Sequence, residues 1–166
     1  MVHAFVSSRV DHYNSVLHRV SAANVQPLQN VLNAGARIIL RKRKFDHITT
    51  DVRDRLHWLP VQKRIEYKVC VLVYKCLHQA APTYVAELCS LESESAKRGH
   101  LRSATRGDLA VPRSRTTRYG HRCFAVSGPT LWNSLPLSVR DPSLTLTQFC
   151  VHLKTELFCR AYDTQP

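Results

Sequence analysis

No stretch of this 166-residue sequence approaches the ~20 uninterrupted apolar residues that a membrane-spanning helix requires, so a membrane partner is not expected. The opening residues, Met1 to Asp11, carry no basic leader followed by an apolar run and a small-residue cleavage site. An intracellular location, nucleus or cytoplasm, is therefore expected. There is no Gly-rich phosphate loop, no Gly-x-Ser-x-Gly nucleophile elbow and no His-Glu-x-x-His helix, which removes the most recognisable nucleotide hydrolases, serine hydrolases and zinc peptidases. No two aspartates are adjacent and no Cys-x-x-Cys occurs. No cofactor is expected.

Acidic residues are scarce. Asp and Glu number 12 against 24 Lys and Arg, giving a formal charge of +12, and 17 of the 24 cations are arginines. The planar guanidinium fork matches phosphate, so this excess points to an anionic partner and leans toward nucleic acid. Six cysteines would suffice for three disulfides, but most lie within apolar helical patterns, so reduced, buried thiols are expected. The length suits one domain or two small helical lobes, burying roughly two-thirds of the unfolded surface.

Hydrophobic spacing predicts a mainly α fold: helical, bundle-like lobes joined by a basic, irregular stretch. In residues 1–45, Ala4, Phe5, Val10, Tyr13, Val16 and Leu17 predict a short helix. Leu28, Val31, Leu32, Gly35, Ile38 and Ile39 predict a longer one from about Asn24 to Arg41, with Pro27 in its first turn. The two would form a helical hairpin. In residues 46–90, Thr49 and Thr50 are candidate caps of a short helix through Leu56, and Pro60 opens the strongest helix. Val61, Ile65, Val69, Leu72, Val73, Cys76 and Leu77 form its apolar stripe, with Arg64, Lys68 and Lys75 on one flank. Pro82 ends it, and Tyr84, Val85 and Leu88 form a further short helix. Over residues 91–118 periodicity fails around the single apolar run Leu109-Ala110-Val111, which predicts a linker or arm. Residues 119–166 form a C-terminal helical block. There Thr145-Leu146-Thr147-Gln148 matches a capping box, and Leu146, Phe149, Cys150, Leu153 and Leu157 should pack inward, against the Trp132 region. Trp58, Leu72, Trp132 and Leu153 are expected in the core.

Ten strings remain: Phe5 to Ser15, Leu28 to Arg37, Phe45 to Thr49, Leu56 to Val61, Arg64 to Lys68, Tyr74 to His78, Ala81 to Tyr84, Val111 to Thr116, Tyr119 to Arg122 and Leu131 to Pro136. Taken in order, they resemble the region downstream of the palm in jockey-like and chicken-repeat-like non-LTR (LINE-type) retrotransposon reverse transcriptases. The resemblance runs from about His3 to Ala161. It implies that residues 1–45 are a thumb-like helical hairpin holding template and primer backbone, with RNA or DNA as partner alongside the palm and fingers of an intact polymerase. It also implies a part that is no enzyme alone. The family's polymerases hold two Mg²⁺ ions with paired palm aspartates, and no such pair occurs here.

Two basic clusters are candidates for phosphate contact. Arg37, Arg41, Lys42, Arg43 and Lys44 close the first hairpin. Lys97, Arg98, Arg102, Arg106, Arg113, Arg115, Arg118 and Arg122 dominate the irregular stretch, and Arg64 and Lys68 join the candidates from the strongest helix. Each cluster has a plainer explanation, macrodipole compensation for the first and a solvated arm for the second. Tyr67, Tyr74 and Tyr119 are candidate base-stacking residues or half-buried core edges. Asp11-His12 and Asp46-His47 pair an acid with a base, but neighbours on a helix do not face each other, so local structure or capping is expected of them. Two other functions fit the same residues. One is a helical protein-interaction scaffold or domesticated remnant. The other is a zinc-stabilised module using pairs such as Cys76-Leu77-His78, His121-Arg122-Cys123 and Cys150-Val151-His152.

Overall fold

The computed structural model describes residues 3–12, 14–94, 107–114, 116 and 120–163. Within them the protein is mainly α-helical, as the periodicity predicts, and the only β pairing is an isolated antiparallel bridge between Leu91 and Leu109. The α-helices are α1 (Ser8–Asp11), α2 (Ala22–Leu40), α3 (Thr49–Asp54), α4 (Val61–Leu77), α5 (Thr83–Ala86), α6 (Phe124–Asn133) and α7 (Leu146–Tyr162). The chain divides into two units, Met1–Ile65 with Leu157–Pro166, and Glu66–Glu156. Helices α4 and α7 supply residues to each.

In the first unit, Val10, Val25, Leu32, Val61 and Ile65 form one buried cluster, and Ala36, Ile48 and Val52 a second. Trp58 packs against both while staying half-buried, short of the core position expected for it. The first N–H of α4 is satisfied from a distance: the Gln29 Oε1 atom of α2 accepts Val61 N–H at 2.9 Å. Arg64 ties the start of α4 down further. Its Nη1 pairs with Asp11 Oδ2 at 2.7 Å, its Nε donates to the Leu59 carbonyl at 2.9 Å, and its guanidinium lies over the Trp58 ring. Tyr162, at the end of α7, donates its hydroxyl to the Trp58 carbonyl at 2.9 Å.

In the second unit, α4 buries Val69, Val73 and Cys76 of the expected stripe and widens it with Cys70 and Tyr74, while Leu72, expected in the core, is only half-buried. The Phe149 ring of α7 stacks on Tyr74 (centroids 4.5 Å apart) and meets Trp132 of α6 at 5.7 Å, which is the partner expected for this helix. Leu153 is fully buried, whereas Leu146 is exposed. Gly128 lets α6 approach α4 closely, since a Cβ there would stand 3.0 Å from Val73 Cγ2. Leu109 is wholly buried and clamped by one side chain: its N–H donates to Asn133 Oδ1 (2.8 Å), and Asn133 Nδ2 donates to its carbonyl (2.9 Å). Beside it, Asp108 pairs with the buried Arg140 at 2.6 Å. The described end of the irregular stretch is therefore docked, not a free arm. Residues 95–106, 115, 117 and 118 of that expected arm lie outside the described residues.

Helix boundaries separate the legible signals from the misleading ones. The capping box forms, with Thr145 N–H donating to Gln148 Oε1 (2.9 Å) and Gln148 N–H to Thr145 Oγ1 (3.3 Å). By contrast, Thr49 and Thr50 are the first helical residues of α3, and Ile48 stands at the cap without a side-chain bond. Helix α2 starts two residues early, which places Pro27 in its interior instead of its first turn and gives up the bond to the Ala23 carbonyl. The short N-terminal helix is broken into a π turn (His3–Ser7), α1 and a 3₁₀ turn (Asn14–Leu17), leaving Phe5 and Val16 exposed. Val31, Ile38 and Ile39 of α2 are also exposed. Several helices end on a left-handed residue that is not glycine: Arg41 after α2 (φ 53°), Gln79 after α4 (φ 55°) and Asp163 after α7 (φ 49°).

Two outcomes follow. Asn133→Ala should destabilise the protein by at least about 2 kcal/mol, because a buried donor and a buried acceptor on Leu109 lose their partners together; a neutral urea-unfolding midpoint would refute the clamp. Gln79→Gly should stabilise it by about 1 kcal/mol, the left-handed penalty of about 1–2 less the roughly 0.5–1 of extra chain entropy that glycine carries. The same unfolding measurement reads it.

Candidate nucleic-acid interface

The first basic cluster is built by the way α2 ends. With Arg41 in the left-handed conformation, the chain reverses so that Lys42 N–H reaches back to the Arg37 carbonyl (3.0 Å) and Arg41 N–H to that of Ile38 (3.4 Å). This is the paired-bond helix terminus in which glycine is usual, here with an arginine in glycine's place. A tight turn follows. Asp46 closes it, accepting Arg43 N–H on its carboxylate (2.8 Å) and donating its own N–H to the Arg43 carbonyl (3.2 Å).

That turn sorts the cations by availability. Arg37 is half-buried and its guanidinium donates to the Asp46 carbonyl at 3.3 and 3.4 Å, so it braces the turn from within. Lys42 pairs with Asp51 of α3 at 3.2 Å, and Asp51 also receives Arg55 at 3.4 Å. Arg41, Arg43 and Lys44 are exposed, and no carboxylate lies in salt-bridge range of them among the described residues. The local-structure reading of Asp46 agrees with these bonds, whereas Asp11, besides accepting from Asn14, pairs with Arg64 of α4. Phe45, next to Lys44, is 90% exposed, with the Lys44 ammonium over its ring 5.5 Å from the centroid.

The other candidates are placed differently. Arg64, through its bonds to Asp11 and Leu59, serves the fold of the first unit. Lys68 is exposed on α4 in the second unit. Arg113 and Arg122 are exposed there too, the latter in a 3₁₀ turn (Gly120–Arg122), whereas Arg115 and Arg118 lie outside the described residues, as do Lys97, Arg98, Arg102 and Arg106. Of the candidate stacking tyrosines, Tyr74 is buried between the His78 and Phe149 rings and donates its hydroxyl to the Leu144 carbonyl. Tyr67 is half-buried against Cys150, and Tyr119 is outside the described residues. The aromatic beside the cations is Phe45, which sequence reasoning passed over because phenylalanine is ordinarily a core residue. Its signal was adjacency to four consecutive cations, Arg41 to Lys44.

Among the described residues no group of three or more His, Cys, Asp or Glu side chains could hold a metal ion, and no helix is long and apolar enough to cross a membrane. Cys70, Cys76 and Cys89 are buried free thiols, whereas Cys123 is exposed. Burial pushes the Cys89 thiol up to about 12, with the neighbouring Cys76 adding to it, and raises that of Cys76. Compared with family models, with curated proteins and with solved structures, the chain matches none.

The buried thiols give a direct check. At pH 8 the folded protein should present Cys123 to a thiol reagent at once and withhold Cys70, Cys76 and Cys89 until it is unfolded. Because the folded state holds the Cys76 and Cys89 protons above the ordinary thiol value of 9.0, their contribution to stability is complete below about pH 9 and falls as pH rises toward 12. Equal labelling of all these cysteines in the native state would contradict the packing of α4.

Proposed function

We propose that this chain grips nucleic-acid backbone without base specificity, as the thumb and downstream portion of a non-LTR retrotransposon reverse transcriptase, and that it does not polymerise by itself. The observation that carries the reading is the braced turn after α2, which presents Arg41, Arg43 and Lys44 to solvent while Arg37, Lys42 and two aspartates hold its shape. Phosphate contact of this kind positions a protein on RNA or DNA and reads no sequence. The ordered family-like strings, from His3 to Ala161, support the polymerase context, with palm and fingers as partners. The lack of adjacent aspartates supports a supporting, non-catalytic role.

A second reading, a helical scaffold for another protein, draws on the exposed Val31 and Ile38, seven residues apart and so on one face of α2. Salt separates the two. Backbone binding weakens steeply with ionic strength, with about 0.7–0.9 of log–log slope per phosphate contact. Neutralising Arg41, Arg43 and Lys44 together should flatten the slope by about 2–3, leave base preference unchanged and leave the fold intact, since these side chains take no part in the salt bridges of the first unit. Neutralising Lys42 alone should change the slope less, because its charge is already paired. No primer should be extended with Mg²⁺ or Mn²⁺. An unchanged slope, or measured extension, would overturn the proposal.

A further inference from the structure

We infer that the turn after α2 takes single-stranded nucleic acid, with Phe45 as a platform on which one base stacks. The inference rests on the backbone-binding reading above and deepens it: the cations grip the backbone of paired or unpaired strands, and the ring adds a preference for strands with an unpaired base. An exposed phenylalanine costs hydration free energy that a packed one avoids, and at 90% Phe45 is the most exposed of the large hydrophobic side chains among the described residues. It is also held in place. Asp46, the next residue, closes the turn through both its carboxylate and its N–H, so the ring projects from a backbone fixed on its C-terminal side. On the N-terminal side stand Arg41, Arg43 and Lys44. A ring flanked by exposed cations offers the two attractions a single strand requires, stacking for the base and charge for the phosphates beside it.

Duplex is the poorer fit. Its bases are already stacked on both faces behind the backbone, so a ring at the tip of a turn meets a base face only where the strand is open or a base is extruded. A lipid surface also fits less well. The Lys44 ammonium lies over one face of the ring, and burying Phe45 among acyl chains would carry that charge inward or break the cation–π contact. A base stacking on the opposite face leaves Lys44 in place, with its charge toward the sugar-phosphate chain.

The experiment uses the full chain and fluorescence anisotropy with a 12-nucleotide single strand, the same sequence as a duplex, and vesicles rich in phosphatidylserine. Phe45→Ala should weaken single-strand binding between about 5- and 100-fold, the range one base–aromatic stack spans, while the salt slope and the duplex affinity stay unchanged. Phe45→Trp should restore the affinity and add fluorescence quenching on binding that the parent protein lacks. Circular dichroism confirms the fold in both variants. Equal losses on single strand and duplex, or no loss on either, would overturn the inference while leaving backbone binding in place if neutralising Arg41, Arg43 and Lys44 still flattens the slope. Loss of vesicle binding alone would overturn it in favour of a lipid surface. Absence of binding to either nucleic acid by the parent protein would remove the underlying reading as well.

Discussion

Helix α4 is the element on which each hydrophobic core depends. Val61 and Ile65 enter the core of the first unit, and Val69, Cys70, Val73, Tyr74 and Cys76 that of the second, so no solvated turn interrupts its buried side. Such a helix cannot slip by one residue without exposing apolar groups on one side and burying Lys68 on the other. Its start is correspondingly over-determined. Pro60 presets the backbone, Gln29 caps Val61 from α2, and Arg64 binds both the preceding Leu59 carbonyl and Asp11. Helix α2 sets Val25 and Leu32 against Val61 and Ile65 of α4, while its C-terminal part packs Ala36 and Leu40 against Ile48 and Val52 at α3.

The terminal turn shows how a charged surface is made usable. Four consecutive cations, Arg41 to Lys44, would repel one another and fray if left to solvent. Two of the nearby cations are instead committed to structure: Arg37 to a carbonyl, Lys42 to Asp51. The remaining charges are thereby displayed by a backbone that does not have to order itself when a ligand arrives. A site ordered in advance loses less entropy on binding than a floppy basic tail of the same charge.

What was legible in the sequence follows from how local the determining physics is. The α4 start and the α7 capping box depend on residues within one turn, and both were readable. The ends of α2 near Arg41 and of α4 at Leu77 were readable from the apolar spacing, but the left-handed turns that close them were not, because Arg41 and Gln79 stand where glycine is the usual marker. Pro27 misled for a related reason, since the preceding turn of α2 packs through Val25 despite the bond that proline forfeits. Leu72 and Ile38 carry the right spacing, yet the buried face is set by neighbours distant in sequence. For the site, the cationic turn was visible in composition. Which cations are free was not, because Asp51 belongs to another helix, and neither was the exposure of Phe45.

The discontinuity of the first unit has a consequence for how the chain is made. Residues 1–65 are synthesised well before Leu157, which is buried, and Tyr162, which bonds to Trp58 across 104 positions in the chain, yet all belong to the same unit. Closing that unit waits for translation of α7, with the loop entropy of the whole intervening stretch to overcome. Until then Trp58 lacks its partner on the carbonyl, and a nascent chain stalled before α7 carries an incomplete first unit. The first unit is thus closed by residues synthesised long after its own opening helices.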